Sequence, residues 1–364
     1  MNPLRVHEDV VVLVPGFLGF SIIGQFPYFA DRVPGVLGAL LREKWGREVS
    51  IVAATTVPTG PLQARILRLA AFLGRLAAAG ARRLHLVGHS TGGVDAQLLM
   101  SVRPFWGGEW SGSVADARRA VVSVATISAP HFGTALLESS AARFLEQGSL
   151  CDALPFLRAA GPLLSLAVKD MSQLDQLLNL NAKQLPTVWR FVFSVVRHHE
   201  LLEELRPAAM EGVRARTAPD PNVKLTCFVS GADTVAGPRP SDPFYSEIVA
   251  FCRIGAQLPP TPAMRANIER LCTAPPSLWI RDPATAPYSV DAGTSDGVVN
   301  TARQLLEGAE LGGIVLGDHA DVIGDYDRFD VASEQLVSAG IFRSGASFSD
   351  DQLLELYRRV AAAV

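Results

Sequence analysis

Short, largely apolar runs alternate along the first third of the chain with segments whose apolar residues recur three or four positions apart. Residues 10–14, 49–54, 84–87 and 121–127 are runs of the first kind. Residues 36–45, 62–79 and 94–102 are of the second, with Gly80 as a stop after the middle one. Strands apolar on both faces and separated by helices predict a parallel sheet covered on both sides, the α/β class. After Pro130 the pattern changes. From about residue 135 to 218 it predicts helices alone: Leu164, Val168, Met171, Leu174 and Leu178 share one helix face, and residues 188–196 are apolar nearly all round, with a narrow stripe of Arg190, Ser194 and Arg197. Such a helix has to be covered on most of its circumference. The sheet pattern resumes at 223–230, followed by a proline-rich stretch with helices expected at 244–254 and 261–272. A strand at 312–316 and a closing helix at 350–364, with Ser349 as N-cap, complete the chain.

This organisation divides the chain into a core of residues 1–134 and 219–364 and a helical insertion, lid or cap, at 135–218. A length of 364 residues, 48% hydrophobic and 19% charged, suits one large domain with an insertion. A net charge of −3 gives no basic field for nucleic acid. No uninterrupted apolar run reaches the length of a membrane span. The N-terminus lacks the basic start and long apolar stretch of a leader, so the chain as written reads as cytoplasmic, and as secreted if a leader has been removed. Oligomeric state leaves no mark on the pattern. Cys151, Cys227, Cys252 and Cys272 lack metal-ligand spacing and read as free core thiols, with a Cys252–Cys272 disulfide as the alternative.

Chemistry enters with Gly88-His89-Ser90-Thr91-Gly92, placed directly after an apolar strand and before a helix pattern. A G-x-S-x-G pentapeptide at that junction puts a serine hydroxyl on a sharp turn at the sheet edge, and its glycines let strand and helix approach. A nucleophilic serine needs a base and the base an orienting acid. Of the histidines after Ser90, His198 and His199 fall on the helical insertion, whereas His319 follows the last strand on a loop; His319 is the expected base. Asp296, in Ser295-Asp296-Gly297, is the preferred acid, and Asp233, after the 223–230 strand, is its rival. The backbone N–H groups of Thr91 and Phe17, the latter in Pro15-Gly16-Phe17, are the expected oxyanion donors. Leu164, Met171, Phe191 and Phe193 of the insertion are expected to line an acyl pocket.

The segments Val14-Pro15-Gly16-Phe17-Leu18-Gly19, Gly88-His89-Ser90-Thr91-Gly92-Gly93, Ala129-Pro130-His131-Phe132-Gly133-Thr134, Ser295-Asp296-Gly297-Val298-Val299-Asn300-Thr301 and Asp318-His319-Ala320-Asp321-Val322-Ile323-Gly324 occur in the order of motifs in bacterial true lipases. The chain thus resembles the thermoalkalophilic Geobacillus-type and Pseudomonas/Burkholderia-type lipases. That resemblance implies an α/β-hydrolase fold, carboxylic-ester hydrolysis, a helical lid, and Asp296 as the acid. It also implies a structural calcium at Asp321, two places after the base, with Asp325 and Asp327 beside it. The chain departs from the resemblance at Pro15, where those lipases carry histidine, and it lacks the paired-histidine zinc insertion, so no zinc is expected. The expected function is lipase or esterase activity on an ester or lipid substrate, without a required cofactor and with transient contact at a lipid interface. The alternatives are an acyltransferase, a hydrolase of other acyl bonds, or a catalytically silent binding protein on the same fold.

Overall fold

A computed structural model describes residues 6–17, 22–23, 26–138, 200–232, 243–257, 260–283, 289–329, 336–338 and 344–364. The strands are β1 (Asp9–Val14), β2 (Ser50–Ala53), β3 (Arg83–His89), β4 (Val121–Ile127), β5 (Lys224–Gly231), β6 (Trp279–Ile280) and β7 (Glu310–Leu316). They form one seven-stranded sheet in the order β2-β1-β3-β4-β5-β7-β6, and every pairing in it is parallel. All seven carboxyl ends therefore open on one edge. Two short antiparallel pairs, Ile22–Ile23 with Phe26–Pro27 and Arg328–Phe329 with Leu336–Ser338, lie outside it.

Strand β1 shows why the sheet is covered on both sides. Val10, Val12 and Val14 enter one apolar cluster while Val11 and Leu13 enter the other, as the two-residue side-chain period requires. The first cluster is closed by α2 (Leu62–Ala78), α3 (Thr91–Leu99) and α4 (Gly112–Arg119), through Ile66, Leu69, Leu73, Val94 and Val114. The second is closed by α1 (Arg32–Trp45) and the last helix through Val33, Leu37, Leu41, Leu353, Leu356 and Val360. Fully burying a side chain of this size is worth about 1.5–3 kcal/mol.

Helix α1 starts at Arg32, four residues before the predicted start, because Pro34 sits in its first turn, where a proline costs no hydrogen bond. Helix α3 starts at Thr91 despite the two glycines that follow. Helix α4 and strand β6 are additional to the predicted elements.

Of residues 135–218, expected as an insertion, only the flanks are described: a 3-10 turn at Ala135–Glu138, then α5 (Glu200–Glu204) and α6 (Pro207–Arg214). Leu201, Leu205, Met210 and Val213 pack into the cluster under α2 and α3. The Glu204 carboxylate accepts the first N–H of α2, from Leu62, at 2.5 Å. Leu164, Met171, Phe191, Phe193, residues 188–196, His198, His199, Cys151 and Asp233 lie outside the described residues. Beyond β5 come α7 (Pro243–Gly255) and α8 (Pro262–Cys272), the latter capped by the Thr261 side chain on the Met264 N–H. The final helix, α9 (Asp350–Ala363), is capped by Ser349 as expected. It grips the region after β7: Gln352 donates to the Leu316 carbonyl at 3.1 Å, and the Tyr357 hydroxyl donates to Val322 at 3.1 Å. Cys227, Cys252 and Cys272 are free thiols, so the Cys252–Cys272 disulfide does not form. The Cys252 thiol instead faces the Gly297 carbonyl at 3.6 Å.

Candidate active site

Ser90 sits between the end of β3 and the start of α3 with φ +54°, in the left-handed region that a non-glycine residue rarely occupies. Its backbone is pinned on both sides: its N–H donates to Ile127 at 2.9 Å, and its carbonyl accepts from Gly93 at 2.9 Å. The flanking glycines make this turn sterically feasible. A Cβ on Gly92 would lie 2.2 Å from the Val14 carbonyl oxygen, and one on Gly88 would lie 2.5 Å from that of Gly92. Helix α3 can therefore begin directly against the ends of β1 and β3, with the Thr91 N–H in its first turn, where helical N–H groups have no intrahelical acceptor.

The loop leaving β1 closes on the same point. A Cβ on Gly16 would stand 2.7 Å from the Ser90 Cβ and 2.3 Å from the Tyr28 hydroxyl oxygen. Glycine is thus required for the loop to approach the serine. Arg65 holds this loop by its carbonyls: Nη2 donates to Gly16 at 3.0 Å and Pro15 at 3.3 Å, and Nη1 donates to Val57 at 2.8 Å. Because a trans peptide is planar, anchoring the Gly16 carbonyl sets the opposite direction of the N–H of Phe17. Arg65 also reaches the Thr91 hydroxyl at 3.3 Å and forms a wholly buried ion pair with Asp95 of α3, Nη2 to Oδ2 2.7 Å. Burial pushes the Asp95 carboxyl up from its ordinary range, and the Arg65 charge opposes that rise. The two donors expected for an oxyanion therefore lie on segments that one guanidinium ties together.

His319 and Asp296 meet as the sequence predicts. His319 Nδ1 lies 2.7 Å from Asp296 Oδ2. The same oxygen accepts from the Ser230 hydroxyl at 2.8 Å and from Gln304 Nε2 at 3.1 Å, while Oδ1 accepts the N–H groups of Val298 (2.9 Å) and Val299 (2.7 Å). Five donors thus surround a carboxylate that is fully buried. The Ser230 hydroxyl has one hydrogen, and it goes to Asp296, so the Ser128 hydroxyl, 2.6 Å away, donates to Ser230. The His319 N–H donates to the Asp296 carbonyl at 2.9 Å. The ring of His89, next to Ser90 in the chain, lies against that of His319, with centroids 4.6 Å apart and planes tilted by 47°. Ser230, Gln304, Tyr28 and Arg65 are the residues that sequence reasoning missed.

Asp321, Asp325 and Asp327 share the short loop after His319. Among the described residues no group of three or more His, Cys, Asp or Glu side chains is placed to hold a metal ion. Asp321 Oδ2 accepts the Asp318 N–H at 2.7 Å, and Asp318 Oδ1 accepts those of Ala320 (2.9 Å) and Asp321 (3.0 Å). Burial pushes the Asp318 carboxyl up to about 7; burial and the neighbouring acids push Asp321 up as well. Among the described residues no helix is long and apolar enough to cross a membrane.

No family model matches this chain, and no curated protein matches it. Among solved structures it is similar in fold to EstA from Clostridium botulinum, with a TM-score of 0.52 and 15% identity, covering 100% of this chain and 88% of that one. The Staphylococcus hyicus lipase aligns with a TM-score of 0.49 and 15% identity over 98% of this chain and 95% of its own. Lipase 1 of Pelosinus fermentans aligns with a TM-score of 0.48 and 15% identity over 98% of each chain. The parallel sheet, the serine turn after β3 and the likeness to EstA together give the α/β-hydrolase fold.

Proposed function

We propose that this chain is a carboxylic-ester hydrolase, an esterase or lipase, that works through an acyl-enzyme on Ser90. The observation that carries the reading is the Asp296–His319 pair at 2.7 Å, on the same sheet edge as a serine held at φ +54°. In this reading the Ser90 Oγ attacks the ester carbonyl while His319 Nε2 takes its proton, and Asp296 holds Nδ1–H and stabilises the imidazolium. The N–H groups of Phe17 and Thr91 receive the developing oxyanion. Collapse of the tetrahedral intermediate breaks the bond to the alcohol, which leaves with the proton from Nε2. Water then repeats the sequence at the acyl carbon and frees the acid and Ser90. The chemistry of this reading rests on the residues. Acyl transfer to an alcohol instead of water uses the same intermediate and is the second reading.

The insertion at 135–218 is proposed as the cover of the acyl pocket, and Leu164, Met171, Phe191 and Phe193 as part of its lining. Calcium is proposed at Asp321 with Asp325 or Asp327: a divalent cation there would offset the burial and the neighbouring negative charges that push the Asp321 carboxyl up. Bound there, it would steady the loop carrying His319, and the melting temperature in excess calcium should exceed that in chelator. The test of function is initial rates on p-nitrophenyl esters of increasing acyl length, carried through the solubility limit. Ser90→Ala should lower turnover by about 10⁴-fold or more while the protein stays folded. Retention of most turnover would remove the assignment. A jump in rate at the solubility limit marks a lid, and smooth saturation marks a fixed cap.

A further inference from the structure

Tyr28 and His89 form a hydrogen-bonded chain whose donor directions are set by its two ends. At one end His89 Nε2 lies 2.9 Å from the His319 carbonyl oxygen, which can only accept. Nε2 therefore carries the hydrogen. His89 Nδ1 is then an acceptor, and its partner at 2.8 Å is the Tyr28 hydroxyl, which must donate. The Tyr28 oxygen in turn accepts from the Gly16 backbone N–H. The result is a continuous run from the oxyanion loop, Gly16 N–H to Tyr28 O–H to His89 to the His319 carbonyl. The His89 ring is buried, edged by Phe29 at 6.4 Å and in tilted contact with His319 at 4.6 Å. Burial and the neighbouring His319 hold its imidazole well below the usual histidine range, so it stays neutral.

We propose that His89 and Tyr28 are positioning residues that couple the oxyanion loop to the base, an inference that rests on the acyl-transfer reading above. Among the described residues the other hydrogen bonds of His319 go to Asp296, which takes its N–H and its Nδ1. A third point, the carbonyl held by His89, restrains the backbone that carries the imidazole, while Asp296 orients the ring through Nδ1. The loop that carries the Phe17 N–H is attached to the same chain, so the donor of the oxyanion hole and the base are aligned by one set of bonds. A neutral ring suits this task, because His319 becomes cationic during each transfer and a second cation at stacking distance would oppose it. Neither residue touches the reacting atoms; both act through His319 and the loop.

The experiment compares wild type with Tyr28→Phe, His89→Leu and His89→Gln, using a soluble short-chain p-nitrophenyl ester and the rate at which a fluorophosphonate labels Ser90. Tyr28→Phe should lower kcat and the labelling rate by about tenfold, the scale of one neutral hydrogen bond. His89→Leu should lower both by about a hundredfold, as small misplacements of a catalytic group do. His89→Gln, which keeps a donor where Nε2 stands, should recover part of that loss. KM should move by less than about twofold throughout, since uniform binding is untouched. A merely structural role would instead lower the melting temperature and leave kcat intact well below it. The nitrogen spectrum of wild-type His89 should show the neutral form with hydrogen on Nε2 between pH 6 and 8. Wild-type kcat in folded Tyr28→Phe and His89→Leu overturns the proposal. An imidazolium, or hydrogen on Nδ1, overturns it even if the variants fail to fold. If wild-type Ser90 takes no label at all, it is the acyl-transfer reading that has failed.

Discussion

The two ends of β1 carry two ion clusters of similar composition and opposite environment. At its amino end Asp9 binds Arg83 (2.6 Å) and Arg47 (2.6 Å), and these guanidiniums keep 38% and 51% of their side-chain surface in solvent. The Arg83 contact first, then that of Arg47, holds the Asp9 carboxyl below its usual range against the effect of burial. Past its carboxyl end Arg65 and Asp95 pair with both side chains at 0% exposure. Desolvating two charges is costly, and a buried pair seldom stabilises a protein beyond what apolar residues of similar volume would achieve. The wet cluster closes the edge of a sheet. The dry one lies where the backbone of residues 15–17 must be held in a single arrangement beside Ser90. Its use is better sought in geometry than in stability.

That contrast can be broken most sharply at Arg65. Arg65→Leu leaves Asp95 buried and unpaired and should cost about 3–5 kcal/mol, read by urea denaturation. Adding Asp95→Leu should restore most of that stability but not the ester turnover, because the carbonyls of Pro15 and Gly16 stay unheld. Recovery of both quantities together would make the pair a packing device. The next effect lies beside the wet cluster. His85 donates or accepts at Ser123 (2.8 Å), and its Nε2 stands 3.9 Å from Asp9, too far for a hydrogen bond. Burial, the largest cause, holds it down to about 4. Its unfolded value is about 6.5, so the unfolded state takes up the proton first. Its contribution is complete above about pH 6.5 and is lost as pH falls toward 4, by about 1.4 kcal/mol per pH unit. His85→Asn should remove that slope, measured as the difference in unfolding free energy between pH 7 and pH 5. The smallest effect is expected for Asp9→Asn, about 1 kcal/mol at neutral pH with unchanged turnover, because its arginine partners are already hydrated.

The sheet was legible because its strands are buried on both faces, so residues 10–14 and 121–127 show up as apolar without any knowledge of their neighbours. Helix α4 was not, since only Val114 and Ala117 of its eight residues are buried, too few to mark a helical face. The start of α3 was misplaced to residue 94 because Gly92 and Gly93 disfavour helix locally, whereas the packing of α3 against β1 and β3 demands them. In the candidate site, the Ser90 turn and the meeting of Asp296 with His319 were legible because the expected chemistry limits the residue types and the chain order. Their supports were not. Gln304 and Ser230 are ordinary polar residues until Asp296 stands beside them. Arg65 did leave a signal: it falls on the buried stripe of Leu62, Ile66, Leu69 and Leu73, where a charge implies a buried partner. His89 carries no signal beyond its place in the pentapeptide, and nothing in a linear pattern joins it to Tyr28, 61 positions away.

The grip of α9 on the loop after β7 bears on how the molecule comes into being. Val322 and Leu316, on either side of His319, are held by Tyr357 and Gln352, residues near the far end of the sequence. Ser90 and its turn are built from β1, β3, β4 and α3, all of which lie before residue 128. During synthesis the serine turn can therefore be assembled long before the histidine that would arm it has anything to lean on. If the chain folds in the order in which it is made, the hydroxyl would stay unarmed until the closing helix docks behind the His319 loop.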